Sequence, residues 1–206
     1  MSTTVRATEV VMPHRVEPDG LLVRHRDLPA PGAGQALVRV EATGVSFAEQ
    51  QMRRGKYYDQ PPFPFVPGYD LVGVVEAIGE GGAPGLVGVR VATVVKVGGW
   101  ASHLLVDATH LVPVPPGVDP AEAETLIVNG LTAWQMLHGV AKVRRGQTVV
   151  VLGANGGVGS TLVQLAVEAG ITVIGTAAPR HHDLVRGLGA TPVDHRAPQL
   201  ADKSEA

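Results

Sequence analysis

The run Gly153-Ala154-Asn155-Gly156-Gly157-Val158-Gly159 has the composition of a loop that lets backbone approach a phosphate. Set against G-x-G-x-x-G, Ala154 takes the first position, Gly156 the second and Gly159 the third. Gly156 removes the Cβ that would keep a pyrophosphate at a distance. Gly159 lets the following helix pack close to the preceding strand, and the N–H groups of Gly157 and Val158 face outward at the helix N-terminus. The bland alternative is a tight turn between strand and helix that holds no ligand. A lone glycine motif carries little, so its context matters. Gln147–Leu152 before it reads as a short, fully buried strand. Val158, Leu162, Leu165, Ala166 and Ala169 after it recur on one helical face, and Ile171–Gly175 makes a second strand. The whole is a βαβ unit of the dinucleotide-binding type.

The second strand bears on which dinucleotide. Sites that take NAD place an acid about 20 residues beyond the loop to bind the ribose 2′-hydroxyl. That position falls on Thr176, and Gly175–Pro179 contains no acid. Arg180, His181 and His182 follow. A cation there suits a 2′-phosphate, which a carboxylate would repel, so the expected cofactor is NADPH. The alternative for Arg180 is an exposed residue at a helix start.

The elements that position this loop come from the rest of the 206 residues, enough for about 1.4 domains. Glycine and proline number 26 and 16, and thirteen of the prolines precede residue 121. Such punctuation suits short strands joined by turns. Ala36–Ala42 alternates apolar and polar positions, the pattern of a half-buried strand, and similar runs fall near 21–28, 71–78, 87–95 and 103–106. A β-barrel or partly open sheet is expected over residues 1–120. Beyond Asp119, Pro120–Glu124 opens a helix with acids in its first turn, and 130–137 also reads as helical. The boundary falls between about Pro116 and Gly146. Residues 121–200 form the second, nucleotide-binding domain, and 201–206 a polar tail.

Composition excludes several classes. Net charge is −2, so no large positive field is available for nucleic acid. Cysteine is absent, which removes disulfides and thiolate zinc sites. The eight histidines are scattered or adjacent rather than on one face, so no metal is expected. No signal-peptide pattern and no 18-residue apolar run occurs, and the expectation is a cytoplasmic protein with no membrane partner.

Four stretches together are far more specific than the loop alone: Gly44–Tyr57, Pro67–Gly79, Asn129–Trp134 and the loop itself. In these the chain resembles the zinc-independent quinone oxidoreductase (zeta-crystallin-like) group of the medium-chain dehydrogenase/reductase superfamily, over roughly residues 5 to 196. The resemblance implies a GroES-like β domain followed by a Rossmann domain. Zinc-dependent relatives carry ligands where this chain has Ser46 and Tyr69. Without a metal, the implied chemistry is hydride transfer from NADPH to a small-molecule quinone or α,β-unsaturated carbonyl. Tyr57 sits where relatives place a pocket tyrosine, able to polarise the acceptor or donate a proton; the alternative is a tyrosine closing a loop edge. Ser46 stands where relatives often have Asn, with capacity to hold carboxamide or ribose. Gln51 replaces a second pocket tyrosine, which leaves the acceptor's identity open. Thr132 matches a threonine near the cofactor ribose, whereas Trp134 reads as core packing. The family's 2′-phosphate lysine aligns with His182, which leaves two alternatives: Arg180 substitutes for it, or the preference for NADPH is weaker.

A six-stranded Rossmann sheet needs more than the strands legible here: 147–152, 171–176 and a weak third near Val193. The expected partial sheet leaves an apolar face and an open edge. Two classes of function follow. One is an NADPH-dependent reductase, completed by a second copy or a C-terminal partner chain. The other is a truncated, catalytically inactive fragment with at most a weak nucleotide or partner site. The isolated chain is expected to show low or no turnover.

Overall fold

The computed structural model describes residues 4–196, so the polar tail expected at 201–206 lies outside the described residues. The chain divides between Ile127 and Val128 into two compact units.

In the first unit, β1 (Val5–Val11) buries Ala7, Glu9 and Val11 on one face and pairs antiparallel with β2 (Leu22–Leu28). The sequence reading missed β1, because Glu9 on its buried face and Val10 on the opposite one break the period of two. A five-stranded antiparallel sheet follows, with spatial order β6-β3-β4-β5-β7. Its strands are β3 (Gln35–Ala42), β4 (Asp70–Ile78), β5 (Arg90–Val94), β6 (His103–Asp107) and β7 (Val112–Pro113). Ala36 and Val38 of β3 meet Leu71 and Val75 of β4, Val91 of β5 and Val106 of β6 in one apolar core. Among the described residues no pairing joins β6 to β7, so the sheet is partly open rather than closed into a barrel. Isolated bridges Glu9–Ala101 and Met12–Phe65 tie the β1 region to the loops of this unit.

Between β3 and β4 lies α1 (Phe47–Arg53), which the sequence reading also missed. Its start is a capping box: Ser46 accepts from the Ala48 amide while the Glu49 carboxylate reaches back to the Ser46 amide. The helix α2 (Pro120–Thr125) is capped by Asp119, whose carboxylate accepts from the Ala121 and Glu122 amides.

The second unit contains α3 (Leu131–Trp134), flanked by wider π-helical turns, and a three-stranded parallel sheet in the order β10-β9-β8. Its strands are β8 (Thr148–Val151), β9 (Thr172–Ala177) and β10 (Thr191–Asp194). The 12-residue α4 (Gly157–Glu168) crosses from β8 to β9, and α5 (His182–Gly187) from β9 to β10. Leu162, Val163 and Ala166 of α4 pack on Val151 and Val173. Two expectations need correction. The strand at 147–152 is not fully buried: β8 pairs with β9 alone among the described residues, and Val150 and Leu152 are exposed. Trp134 is not core; it is 53% exposed and its ring lies 5.3 Å from that of His138. The first follows from the open edge and uncovered face that a short parallel sheet leaves. Among the described residues no helix is long and apolar enough to cross a membrane.

Candidate functional site

The glycine loop turns because Gly153 takes a φ of +70°, a conformation that costs an L side chain about 1–2 kcal/mol. The Gly156 amide donates to the Gly153 carbonyl at 2.9 Å and closes the turn. Gly156 then sits at the N-cap of α4, and both Gly156 and Gly157 are exposed. The amides of the first helical turn have no partner within the helix, and the dipole adds partial positive charge there. The hydroxyls of Ser160 and Thr161 donate to the Gly157 carbonyl at 3.2 and 3.1 Å and so leave those amides untouched. Gly159 is buried, and a Cβ on it would stand 2.2 Å from the Gly153 carbonyl oxygen. Helix and turn therefore touch backbone to backbone. Val158 is half-buried and packs against the core beneath.

Ala154 does not face a ligand. It is fully buried, its amide donates to the Thr176 carbonyl at 2.9 Å, and its methyl lies against the backbone of Gly175. Its job is to hold the loop to β9. Thr176 is likewise committed: its hydroxyl accepts from the Gly153 amide at 3.0 Å.

Beside the loop is an open cleft of about 320 Å³, lined by Asn155, Thr176, Ala178, Arg180, His181 and His195 among others. Among the described residues no carboxylate lines it. Arg180 donates through Nε to His181 Nε2 at 3.1 Å. His182, in contrast, is turned to the carbonyl of Ala177 at 3.3 Å and does not line the cleft. The half-turn of 3-10 helix at Pro179–His181 causes this, because it swings His181 rather than His182 toward the loop. His195, just beyond β10, has Asp194 at 3.5 Å from its Nδ1. Thr132 is exposed on α3. Asn129 lies against Gly157, where an added Cβ would be 2.8 Å from its side-chain nitrogen.

The first unit carries its own cluster. Tyr57 and Tyr69 are half-buried, their hydroxyls are hydrogen-bonded to each other, and their rings meet edge to face at 6.2 Å. Burial holds the Tyr69 phenol above its usual value of 10, so it keeps its proton at neutral pH. Tyr58 is exposed and stacks at 4.7 Å on Tyr57. The Glu49 carboxylate, 1% exposed, accepts from the amide of Ser46, from the Ser46 hydroxyl and from the amide of Tyr69. Ser46 thus spends its one proton and one of its two lone pairs on the helix cap, which narrows the cofactor-holding role expected for it. The indole of Trp100 donates to the Gly44 carbonyl at 2.8 Å and fixes the approach to this cap.

Comparison with known proteins bears on what these parts belong to. The alcohol dehydrogenase GroES-like domain model matches residues 32–116. The synaptic vesicle membrane protein VAT-1 homolog of Rattus norvegicus is 36% identical over 177 residues, spanning 85% of this chain and 44% of that protein. The quinone oxidoreductase of the same organism is 35% identical over 179 residues, 85% of this chain and 54% of its own. The structure of the quinone oxidoreductase from Thermus thermophilus, solved also as its complex with NADPH, superposes with a TM-score of 0.78 at 33% identity, covering 97% of this chain and 64% of that one.

The chain carries an alcohol dehydrogenase GroES-like domain and is similar to quinone oxidoreductases of the medium-chain dehydrogenase/reductase superfamily. It spans about half the length of the curated superfamily relatives it matches.

Within this superfamily frame, several site residues escaped the sequence reading. Glu49 had a signal, since Ser46-Phe47-Ala48-Glu49 fits the S-x-x-E capping pattern. Gly153 had a weaker one, as the first glycine of the loop. Tyr69 and His195 had none, because what brings them to their partners is folding across 12 or more residues rather than local spacing.

Proposed function

We propose that the chain carries the nucleotide-binding and proton-donating parts of an NADPH-dependent reductase that acts on a quinone or an α,β-unsaturated carbonyl. The observation that carries this reading is the glycine loop seated at the free N-terminus of α4, beside a cleft that holds Arg180 and two histidines and, among the described residues, no carboxylate.

These residues suit the cofactor. The exposed backbone of Gly156 and Gly157 admits a pyrophosphate, whose charge the first-turn amides of α4 would bind. Arg180, with His181 and His195 beside it, offers cationic and hydrogen-bonding groups to a 2′-phosphate. Among the described residues a carboxylate, the NAD-selecting group, is missing from the lining. When bound, NADPH supplies a hydride. The chain's own residues supply the rest: the loop orients the dinucleotide, and Tyr57 presents a phenol proton to the acceptor's oxygen. The half-buried ring setting of Tyr57, with Tyr69, Phe63 and Trp100 in the same cluster, suits a planar acceptor.

The test is a fluorescence titration of the purified chain with NADPH and, separately, NADH, with circular dichroism to establish folding. Saturable binding at least about tenfold tighter for NADPH supports the reading, since one charge-assisted bond to the 2′-phosphate is worth roughly that factor. A folded chain that binds both equally, or neither, overturns the NADPH assignment.

A further inference from the structure

The three tyrosines of this chain, Tyr57, Tyr58 and Tyr69, all fall in one cluster of the first unit. Tyr69 is the best anchored of them. Its amide donates to the buried Glu49 carboxylate at 3.2 Å, and its carbonyl accepts from the amide of Val95 at 2.6 Å. Its ring packs with Met12, Met52 and Phe65. Held from both sides of its backbone, it has a fixed hydroxyl position. Tyr57 is different. It lies in the segment after α1, its ring rests on the same apolar cluster, and its phenol oxygen accepts from the Tyr69 hydroxyl with Tyr58 as a second neighbour.

We propose that Tyr69 is the positioning residue of the proton donor: the hydroxyls of Tyr57 and Tyr69 work as one unit that gives up a single proton and keeps the other between their two oxygens. The inference rests on the reading of Tyr57 as donor given above and adds the residue through which it acts.

The balance of the step is simple. A hydride from the nicotinamide donor adds to the acceptor, and the displaced electron pair comes to rest on the acceptor's carbonyl oxygen. An O–H bond forms there as the O–H bond of Tyr57 breaks. The phenolate left on Tyr57 is then met by the Tyr69 hydroxyl, a hydrogen bond that becomes charge-assisted and so roughly twice as strong as the neutral one. Water returns the proton to the pair after the product leaves. A lone tyrosine in the same place would leave its charge on one partly desolvated oxygen. Glu49, by fixing the Tyr69 amide and the start of α1 together, sets the frame on which the pair sits.

Two measurements on the full chain test this. The first follows tyrosinate absorbance with pH in Tyr58→Phe, which leaves only the pair. A coupled pair ionises in two separated steps, because the second proton must leave against an adjacent negative charge. Adding Tyr69→Phe reduces this to one step at the lower-pH side of the second. Two tyrosines that ionise independently in Tyr58→Phe overturn the proposal, whether or not the chain turns over.

The second measures NADPH-dependent reduction of a short-chain benzoquinone. Tyr69→Phe keeps the ring and its packing, and lowers kcat about tenfold with KM for NADPH and quinone unchanged; general acid catalysis as a whole is worth about 10²–10⁴. Tyr57→Phe lowers kcat further, and the double variant no further than Tyr57→Phe alone. If the unmodified chain turns over and Tyr57→Phe matches it, the donor reading fails and this proposal with it; if it does not turn over, the tyrosinate titration alone decides. If Tyr57→Phe is impaired while Tyr69→Phe is not, the donor reading stands and the role of Tyr69 is overturned.

Discussion

Thr176 grips the turn that follows β8 at two points: its hydroxyl accepts from the Gly153 amide at 3.0 Å, and its carbonyl accepts from the Ala154 amide at 2.9 Å. The residue at the NAD-selecting position is therefore the clamp of the glycine loop. Thr176→Val keeps the volume and removes the acceptor. The expected result is a loss of about 1–2 kcal/mol in stability, the usual cost of leaving an amide without its partner, together with weaker NADPH binding. Urea unfolding and NADPH titration of the variant measure the two effects, and Thr176→Ser, which restores the oxygen, should recover most of both.

Gly159 makes the sharpest steric prediction. An added methyl would stand 2.2 Å from the Gly153 carbonyl oxygen and 3.1 Å from Ala154 Cα, both backbone atoms that cannot swing aside. Gly159→Ala should cost about 1–3 kcal/mol by overpacking and displace the α4 N-terminus. Thermal unfolding reads the first. Loss of NADPH binding by the still-folded variant reads the second.

Arg180 should set the choice between cofactors rather than binding as such. Arg180→Ala is expected to weaken NADPH about tenfold and leave NADH unchanged. An equal loss for both would show that the side chain acts on the loop and not on the 2′-phosphate.

Glu9 gives a pH dependence. Its side chain is 1% exposed, and burial opposes its charge; bonds from Arg24 and Arg26, both at 2.8 Å, outweigh that and hold its carboxyl below the ordinary 4.5. A carboxyl whose folded value is depressed contributes stability that is fully present above pH 4.5 and is lost as pH falls through the lower folded value. Unfolding monitored from pH 6 down to about 3 should show this loss, and Glu9→Gln should flatten it. At neutral pH the same variant should cost about 1.5 kcal/mol, the low end for a charged hydrogen bond, since both arginines are half exposed and can rehydrate.

The fold was legible wherever a local pattern recorded it. Alternation along Ala36–Ala42 marked β3, and the apolar face from Val158 to Ala169 marked α4 with the loop ahead of it. The start of α1 was just as local, in Ser46 and Glu49, and went unread because the resemblance drew Ser46 toward a cofactor role. The surroundings of Ala154 and His182 are a different matter. Motif position assigns a residue to a loop, but the turn at Gly153 and the 3-10 half-turn at Pro179 decide which way it points.

By itself the sequence determined the two-part architecture, the glycine loop between strand and helix, and the lack of an acid after β9, because each is written in spacing along the chain. Tertiary structure alone decided that Tyr57 meets Tyr69, that Glu49 joins Ser46 to Tyr69, and that His181 and His195 share a cleft with Arg180. Tyr57–Tyr69, Glu49–Tyr69 and Arg180–His195 join residues 12 to 20 apart, and their distances are set by how strands and loops pack, which no local period encodes.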